Sequence, residues 1–210
     1  MSTNCPLCNN FGSLYYSKDS RKYYQCLSCS LVFMDPLSFL NYNDECERYL
    51  EHNNDVHDTG YQSFVKPIVD AVTQRFAKDM LGLDFGSGTG PVVSMLLRDK
   101  GYSISEYDPF FNNQTELLTK SYDFIVCCEV IEHFHKPQKE FNQLKNMLNP
   151  GGELICMTNM FTEDINFDKW HYKNDPTHVI FYHALSIEYI AKAFEFSEFE
   201  IDDRLIIFRK

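Results

Sequence analysis

The sequence predicts an α/β fold in which a doubly wound, mainly parallel β-sheet follows a small amino-terminal metal-binding module. Patterns typical of strands and helices alternate through the last two thirds of the chain, as in proteins whose parallel strands are joined by helices. A glycine-rich turn follows the first of these strands, and two Cys-x-x-Cys pairs lie near the amino terminus. The predicted units are a metal-binding module over 1–35, a helical connector or lid over 36–79 and the α/β domain over 80–210.

Length, composition and charge narrow the class of protein. The 210 residues suffice for one full domain and a small module, and a hydrophobic content of 44% supports a sizeable core. The formal net charge of −11 argues against a large nucleic-acid footprint, although it leaves room for a local basic groove. No apolar run approaches the roughly 18 residues of a membrane span, and the amino terminus lacks a signal segment. We therefore expect a cytoplasmic, reducing location in which the eight cysteines are ligands or core residues.

The amino-terminal module contains a cysteine pattern typical of zinc sites. The spacing is C-x2-C-x17-C-x2-C, formed by Cys5, Cys8, Cys26 and Cys29. Two aromatic segments joined by a polar turn separate the pairs, which predicts a zinc ribbon. Because four thiolates close the coordination shell, the expected zinc is structural, and so small a unit depends on it for folding. The ribbon could bind RNA, bind a partner or support the neighbouring domain, and its few basic residues disfavour contact with nucleic acid.

The connector has two parts. Apolar residues at helical spacing from Phe64 to Phe76 predict a helix that packs on the sheet just before its first strand. The preceding segment is polar and would suit either a lid over a bound substrate or a solvated linker. The side chains that favour the lid are Arg48, Tyr49, His52 and Asn53.

In the α/β domain, each strand is expected to lead into a helix or a turn. Too few residues separate 108 from 122 for a full strand and helix, so we expect the third strand unit to be reduced or missing. The remaining predicted elements, in order, are strand 80–85, helix 91–99, strand 102–107, strand 122–128, a helix ending at 148, strand 153–158, helix 186–194 and a hairpin over 198–208.

The glycine-rich turn predicts a ligand at the carboxyl end of the first strand. Glycine allows the backbone to turn sharply and a ligand to approach it closely. The dinucleotide fingerprint fails because Pro91 replaces its last glycine, and the phosphate loop fails because no Lys-Ser or Lys-Thr pair follows Gly90. No basic residue occurs until Arg98, whereas Asp84 directly precedes the turn. The turn therefore favours a cationic ligand over a polyphosphate.

The segment D-F-G-S-G-T-G over 84–90 resembles the first motif of class I S-adenosylmethionine (SAM) methyltransferases. The resemblance implies a Rossmann-like methyltransferase fold with SAM as cofactor. Asp108 lies 24 residues after Asp84, at the end of the second predicted strand. An acid there accepts hydrogen bonds from both ribose hydroxyls, and a turn-forming role is the alternative. The residues expected to bind the cofactor are Asp84, Phe85, Gly86, Ser87, Gly88, Gly90, Asp108, Pro109 and Glu129.

The segment E-V-I-E-H over 129–133 resembles the fourth motif of methyltransferases similar to the ubiquinone-pathway methylases. If a helix begins at Glu129, the side chains of Glu129, Glu132 and His133 share one face. With His178, they resemble the metal-binding set of metal-dependent O-methyltransferases, which implies Mg²⁺, Mn²⁺ or Zn²⁺ at the active site. In relatives without a metal, Glu129 lines the pocket instead.

The connection over 170–182 is rich in aromatic side chains and histidine, which often line sites; surface packing on the sheet edge is the alternative. Trp170 and Tyr172 are candidate substrate contacts, as are Arg48, Tyr49 and His52 of the connector. The candidate general bases are His178, His133 and His171, because unperturbed imidazole titrates near neutral pH. His178 is the first choice, since its loop is the one most expected to face the acceptor.

Together these motifs resemble one bacterial group of zinc-ribbon methyltransferases, and none of them specifies the acceptor. We expect SAM-dependent methyl transfer to oxygen, nitrogen or carbon of a small-molecule metabolite. The alternatives are a methyltransferase that acts on RNA or protein, with the ribbon as substrate reader, and a SAM-binding protein without turnover. Acidic net charge favours the small molecule over RNA. The sequence indicates no oligomeric state.

Overall fold

The computed structural model describes residues 2–51 and 55–210. His52 and Asn53, two of the predicted lid residues, lie outside the described residues. The strands are β1 (Ser2–Asn4), β2 (Phe11–Lys18), β3 (Arg21–Cys26), β4 (Val32–Met34), β5 (Leu81–Phe85), β6 (Ser103–Tyr107), β7 (Tyr122–Cys128), β8 (Leu148–Met157), β9 (Ile180–Phe181), β10 (Glu198–Asp202) and β11 (Leu205–Arg209). The helices are α1 (Tyr42–Leu50), α2 (Thr59–Arg75), α3 (Val92–Asp99), α4 (Pro137–Met147) and α5 (Ala184–Ala193).

The main sheet has six strands in the order β10-β11-β8-β7-β5-β6. Strands β6, β5, β7 and β8 are parallel, and β11 and β10 extend the sheet as an antiparallel hairpin. Residues of α2 and α3 form a core on one face with Phe124 and Val126, whereas α4 and α5 pack on the other face with Ile125 and Cys127. The side chains of alternate β7 residues thus pack on opposite faces of the sheet. The prediction of a doubly wound, mainly parallel sheet is confirmed.

The sheet ends at β6, because the chain forms no strand between β6 and β7 in this described segment. A 3-10 turn over Thr115–Thr119 takes that place, and Leu117 buries its side chain there. The expected reduction of the third strand unit is confirmed. As a consequence, the carboxyl end of β6 lies at the rim of the sheet, beside open space that a ligand can enter.

The second sheet is antiparallel and has five strands in the order β1-β2-β3-β4-β9. The predicted hairpin between the cysteine pairs is present as β2 and β3. Strand β9 comes from the far end of the chain and pairs with β4, with Phe181 opposite Val32 and Ile180 opposite Phe33. Residues of both sheets belong to one buried cluster. The loop that leads into β9 is therefore fixed by the amino-terminal strands.

The predicted helices are present as α2, α3, α4 and α5, whereas the helix start considered at Glu129 is wrong. Helix α2 buries Ile68, Val69 and Val72, as the spacing predicted, together with Val65. No helix begins at Glu129, which has a φ of +52° and leaves β7 in the left-handed region. A 3-10 turn follows, and α4 starts only at Pro137, whose fixed φ suits a first helical position.

Within the described part of the chain, no helix combines the length and the apolar character that crossing a membrane requires.

Candidate functional site

A cavity of about 610 Å³ opens at the carboxyl ends of β5, β6 and β7. Parallel strands of this kind of sheet present their loops together at that edge, which is where ligands of open α/β sheets bind. Every residue that the sequence predicted to bind the cofactor lines this cavity, which is called the cofactor cavity below. These residues are Asp84, Phe85, Gly86, Ser87, Gly88, Gly90, Asp108, Pro109 and Glu129.

The glycine turn forms one wall of the cavity and depends on glycine at Gly86. That residue has a φ of +83°, and a Cβ atom added to it would lie 2.5 Å from a methyl carbon of Val130. Both facts exclude an ordinary side chain there. The turn is thus pressed against the segment that follows β7, which brings Glu129 to the same cavity.

Asp108 holds the turn from the end of β6. Its Oδ2 accepts a hydrogen bond from the Gly88 amide at 2.9 Å, and its Oδ1 accepts from the amides of Phe110 and Phe111 at 2.8 and 3.0 Å. A carboxylate has about four acceptor positions, so capacity remains for a ligand hydroxyl. Phe110 and Phe111 follow directly and line the cavity.

Asp84 is almost fully buried, at 3% exposure, beneath the turn. Burial raises the pKa of its carboxyl to about 7, and the hydrogen bond that Ser94 Oγ donates to Oδ2 at 2.8 Å opposes this rise. A group of this kind gains from a nearby cation, because positive charge favours its ionised form.

Helix α1 contributes Glu45 and Tyr49 to the wall of the cavity. The Tyr42 ring stacks on Phe110 with centroids 4.9 Å apart, and the Tyr49 ring meets Phe110 edge-on at 5.1 Å. Tyr49 Oη donates to Glu45 Oε1 at 2.8 Å, and both residues line the cavity. Of the predicted lid residues, Tyr49 therefore reaches the cofactor cavity.

A buried group of polar side chains surrounds the hydroxyl of Tyr172. Tyr172 Oη lies 3.0 Å from Glu129 Oε2, 2.5 Å from Glu132 Oε1 and 3.0 Å from Thr158 Oγ1. Glu132 is fully buried, and burial raises the pKa of its carboxyl well above the ordinary value, with the charge of Glu129 as the second cause. Burial raises the pKa of Glu129 as well. Tyr172 thus links the cofactor cavity to the side chains behind it.

Two histidines lie beside Glu132 with fixed orientations. His133 Nδ1 donates to the Thr177 carbonyl at 2.9 Å, and His178 Nδ1 donates to the Tyr172 carbonyl at 2.7 Å. A carbonyl oxygen only accepts, so each neutral ring keeps its lone pair on Nε2. One nitrogen of each ring and one oxygen of Glu132 lie within 4.8 Å of one another. Glu132 Oε2 is buried and lacks a hydrogen-bond partner among the described residues.

The predicted metal set is therefore brought together in part. Glu132, His133 and His178 form a group, whereas Glu129 does not belong to it. The reason is the left-handed φ of Glu129, which removes the helix face that would have aligned the two carboxylates. Glu129 instead points its carboxyl to Tyr172 and to the cofactor cavity.

A second cavity of about 410 Å³ lies beside the first. It shares Asp175 and His178 with the cofactor cavity. Arg48 lies in its wall and binds Asp175 Oδ2 through Nη2 at 2.7 Å and Glu51 Oε2 through Nη1 at 2.9 Å. The residues that line it are Arg48, His171, Tyr172, Asn174, Asp175, Pro176 and His178.

The remaining residues that the sequence predicted to contact the substrate or to act as a base lie either in these cavities or in the core. Arg48, His171 and Tyr172 line the second cavity. Trp170 lines neither; its indole packs against Phe181 at 5.3 Å and against Tyr172 at 5.4 Å. Trp170 is accordingly a packing residue of this loop. Sequence reasoning missed other lining residues of the cofactor cavity, namely Glu45, Tyr61, His135, Glu140, Gln143 and Asp175.

Two of the missed residues carried a usable signal. Glu45 lies one helical turn before Tyr49, so a helix that presents Tyr49 to the cavity presents Glu45 with it. Asp175 lies in the same short segment as His178. Its Oδ1 accepts from the amide and hydroxyl of Thr177 at 3.0 and 2.6 Å, which shapes the turn that carries His178.

Away from these cavities, the cysteine pairs of the amino-terminal sheet come together. The sulfurs of Cys5, Cys8, Cys26 and Cys29 lie within 4.8 Å of one another, with 3.8 Å between Cys5 and Cys29 and 3.4 Å between Cys8 and Cys26. A tetrahedral site with Zn–S bonds of about 2.3 Å has sulfur–sulfur edges of about 3.8 Å. The hydrogen bond between Cys5 and Cys29 lowers the pKa of the Cys5 thiol to about 6.

Comparison with known proteins agrees with this geometry. A family model described as a methyltransferase domain matches residues 58–200. A ubiquinone biosynthesis O-methyltransferase of Photorhabdus laumondii is 25% identical over 84 residues, which are 40% of this chain and 35% of that protein. The chain therefore matches about a third of the length of that curated relative.

Solved structures share the fold at lower identity. One is a 1,6-didemethyltoxoflavin N1-methyltransferase of Burkholderia thailandensis with bound 1,6-didemethyltoxoflavin and S-adenosylhomocysteine; the TM-score is 0.58 at 12% identity, over 94% of this chain and 99% of that chain. Another is a SAM-dependent methyltransferase of Archaeoglobus fulgidus; the TM-score is 0.54 at 16% identity, over 71% of this chain and 94% of that chain.

Proposed function

Because the chain belongs to the methyltransferase domain family, which matches residues 58–200, we propose that this enzyme transfers the methyl group of SAM to oxygen, nitrogen or carbon of a small-molecule acceptor. One observation carries the proposal: the residues expected to bind SAM all line a single cavity, and this cavity meets a second one at His178. Donor and acceptor thus have separate places on either side of a candidate base.

The cofactor cavity offers a partner to each part of SAM. Asp108, at the end of β6, would accept the ribose hydroxyls while it holds the turn. Phe110 and Phe111 would wall the adenine. Asp84 and Glu129 supply negative charge to the sulfonium and ammonium end of the molecule.

Methyl transfer requires alignment and, for a protonated acceptor, a base. The bond between the methyl carbon and the sulfonium sulfur breaks as the bond to the acceptor atom forms, and S-adenosylhomocysteine leaves. An acceptor hydroxyl or ammonium group gives its proton to His178 Nε2. His178 is preferred because the Tyr172 carbonyl fixes its ring and because it lies where the two cavities meet. His133 lines the cofactor cavity alone, and His171 is exposed in the second cavity.

As an alternative to a base at His178, the group of Glu132, His133 and His178 would suit a divalent cation, and a cation bound through His178 Nε2 would replace the base role. Its donors are one carboxylate and two imidazoles, and the unpartnered Glu132 Oε2 is a ligand atom already stripped of water. Mg²⁺ prefers oxygen ligands, so this set favours Zn²⁺ or Mn²⁺ over Mg²⁺. A bound cation would act as a Lewis acid towards an acceptor hydroxyl.

The amino-terminal cysteines are proposed to hold a structural zinc ion. Their sulfur–sulfur separations fit a tetrahedral site, and Cys5, Cys26 and Cys29 are buried, which leaves no open position for a substrate. The ribbon would then support catalysis indirectly. Its strand β4 pairs with β9, and β9 follows directly on the loop that carries His178.

The test is label transfer from methyl-tritiated SAM with the full chain and a cell extract separated into small molecules, RNA and protein. We expect label in the small-molecule fraction, with one S-adenosylhomocysteine formed per methyl group transferred. Label in RNA or protein would show instead that the ribbon reads a macromolecular substrate. SAM binding without label in any fraction would contradict an enzymatic function.

A further inference from the structure

We propose that the second cavity is the acceptor site and that it takes an uncharged or positively charged polar small molecule, not a phosphorylated or carboxylated one. This inference rests on the proposed function and adds the place and charge class of the acceptor.

The arrangement of the two cavities supports the placement. They share only Asp175 and His178 among the described residues that line them. A SAM molecule held by the glycine turn and Asp108 would occupy the cofactor cavity, whose lining includes both of these and borders the second cavity at His178. An acceptor that entered through the second cavity would reach His178 without displacing the cofactor. With a volume of about 410 Å³, the second cavity is of a size that holds a small metabolite.

The charges around the two cavities support the class of acceptor. Among the described residues, no lysine or arginine lines the cofactor cavity, whereas the carboxylates of Glu45, Glu129 and Asp175 do. Of the described residues that line the second cavity, Arg48 is the one arginine or lysine, and it is bound by Asp175 and Glu51.

Two carboxylates thus face the single arginine, so an anionic acceptor would meet a net negative charge beside Arg48 and the carboxylates of Glu45 and Glu129 in the adjoining cavity. Bringing like charges together in a poorly hydrated site is strongly unfavourable. Phosphate and carboxylate recognition ordinarily uses arginine or lysine with free donors. Each terminal nitrogen of Arg48 donates to a carboxylate, so two negative charges already act as its counterions.

Polar side chains at the opening of the second cavity can recognise a hydroxyl or amino group of the acceptor. His171 and Asn174 are exposed there, and Asp175 lies deeper, next to His178. Asn174 Oδ1 accepts from Lys173 Nζ at 3.1 Å, which orients the amide and leaves its NH₂ group as a donor. An acceptor with several hydroxyl or amino groups would match these donors and acceptors.

The experiment uses the full chain, methyl-tritiated SAM and the small-molecule fraction of a cell extract. After unreacted SAM is removed by chromatography, labelled products are separated by ion exchange at pH 7. The same reaction is run with Asn174→Ala and with the matched control Asn142→Ala. Asn142 is exposed on α4 and lines neither cavity.

We expect labelled products that the anion exchanger does not retain. For Asn174→Ala, we expect the half-saturating concentration of the metabolite fraction to rise about tenfold, the effect of one lost hydrogen bond, with an unchanged Kd for SAM. Label in anionic products would overturn the charge class, and equal behaviour of the two variants would overturn the site. SAM binding with no labelled small molecule would overturn the proposed function and this inference with it.

Discussion

The hydroxyl of Tyr172 gives the sharpest prediction about how the site is built. Tyr172→Phe removes one oxygen atom and keeps the ring, which packs on His178 at 4.2 Å, and the carbonyl, which fixes His178 Nδ1. What changes is the partner of two carboxyl groups, the fully buried Glu132 and the partly exposed Glu129. Each of these carboxyl groups already has one buried oxygen without a partner in the described part of the chain.

The expected loss of stability follows from the hydrogen bonds that these two carboxyl groups would lose. A buried polar group left without its hydrogen bond costs about 1–3 kcal/mol. Counting both carboxyl groups as buried sets an upper bound of about 6 kcal/mol. The partial exposure of Glu129 and the protonation of Glu132, favoured by its burial, lower the loss. We expect the free energy of unfolding to fall by about 2–4 kcal/mol, and kcat to fall more than the affinity for SAM, because Glu132 borders His178.

The assay is urea unfolding at 25 °C with SAM titration and label transfer on the same preparations. Tyr15→Phe is the matched control, since Tyr15 is 37% exposed and lies in the amino-terminal sheet. Its stability should change by less than about 0.5 kcal/mol. If Tyr172→Phe were no less stable than Tyr15→Phe, the carboxyl groups would not depend on the hydroxyl, and the proposed network would be wrong.

Three further predictions concern zinc, pH and the second metal. If the four cysteines hold zinc, as proposed, wild type should contain one zinc per chain by elemental analysis, and Cys26→Ser should lack it and unfold at a lower temperature. Full zinc content in Cys26→Ser would refute the cysteine site. Asp84→Asn should flatten part of the pH dependence of stability, because the folded-state pKa of Asp84, about 7, exceeds the ordinary 3.8 and the folded state therefore holds the proton more tightly. The stability of wild type should fall relative to that of the variant between about pH 4 and pH 7, by at most about 4 kcal/mol. Urea unfolding without SAM at both pH values measures this difference. An equal difference at both pH values would show that Asp84 does not titrate in this range. After chelation, Zn²⁺ or Mn²⁺ should restore label transfer if Glu132 and its histidines hold a catalytic cation, and unchanged turnover through chelation and readdition would exclude that role.

Much of the fold followed from local patterns in the sequence. Strand and helix alternation predicted the doubly wound sheet, because apolar periodicity reports which faces are buried. The missing third strand could be predicted by counting residues between Asp108 and Tyr122. The glycine turn was predictable for the same kind of reason, since a φ of +83° at Gly86 is a local requirement that only glycine meets readily.

Features that depend on distant parts of the chain escaped prediction. The left-handed φ of Glu129 accompanies the packing of Val130 against Gly86, a tertiary contact that no helical pattern at 129–133 reveals. The pairing of β9 with β4 joins residues about 150 positions apart in the chain and carries the aromatic loop into the core. Trp170 therefore packs inside, although its sequence context resembles that of an exposed binding loop.

Calorimetric titration with SAM tests the central claim most directly, because every proposal depends on the cavity at the glycine turn. Wild type should bind one SAM per chain, and S-adenosylhomocysteine should displace it. Asp108→Ala should bind SAM at least about a hundredfold more weakly, since the variant loses the charge-assisted hydrogen bond to the ribose and the bond that holds the Gly88 amide of the turn. The control Asp99→Ala, at an exposed position in the last turn of α3, should match wild type. No binding by wild type, or equal affinity in Asp108→Ala, would contradict the account.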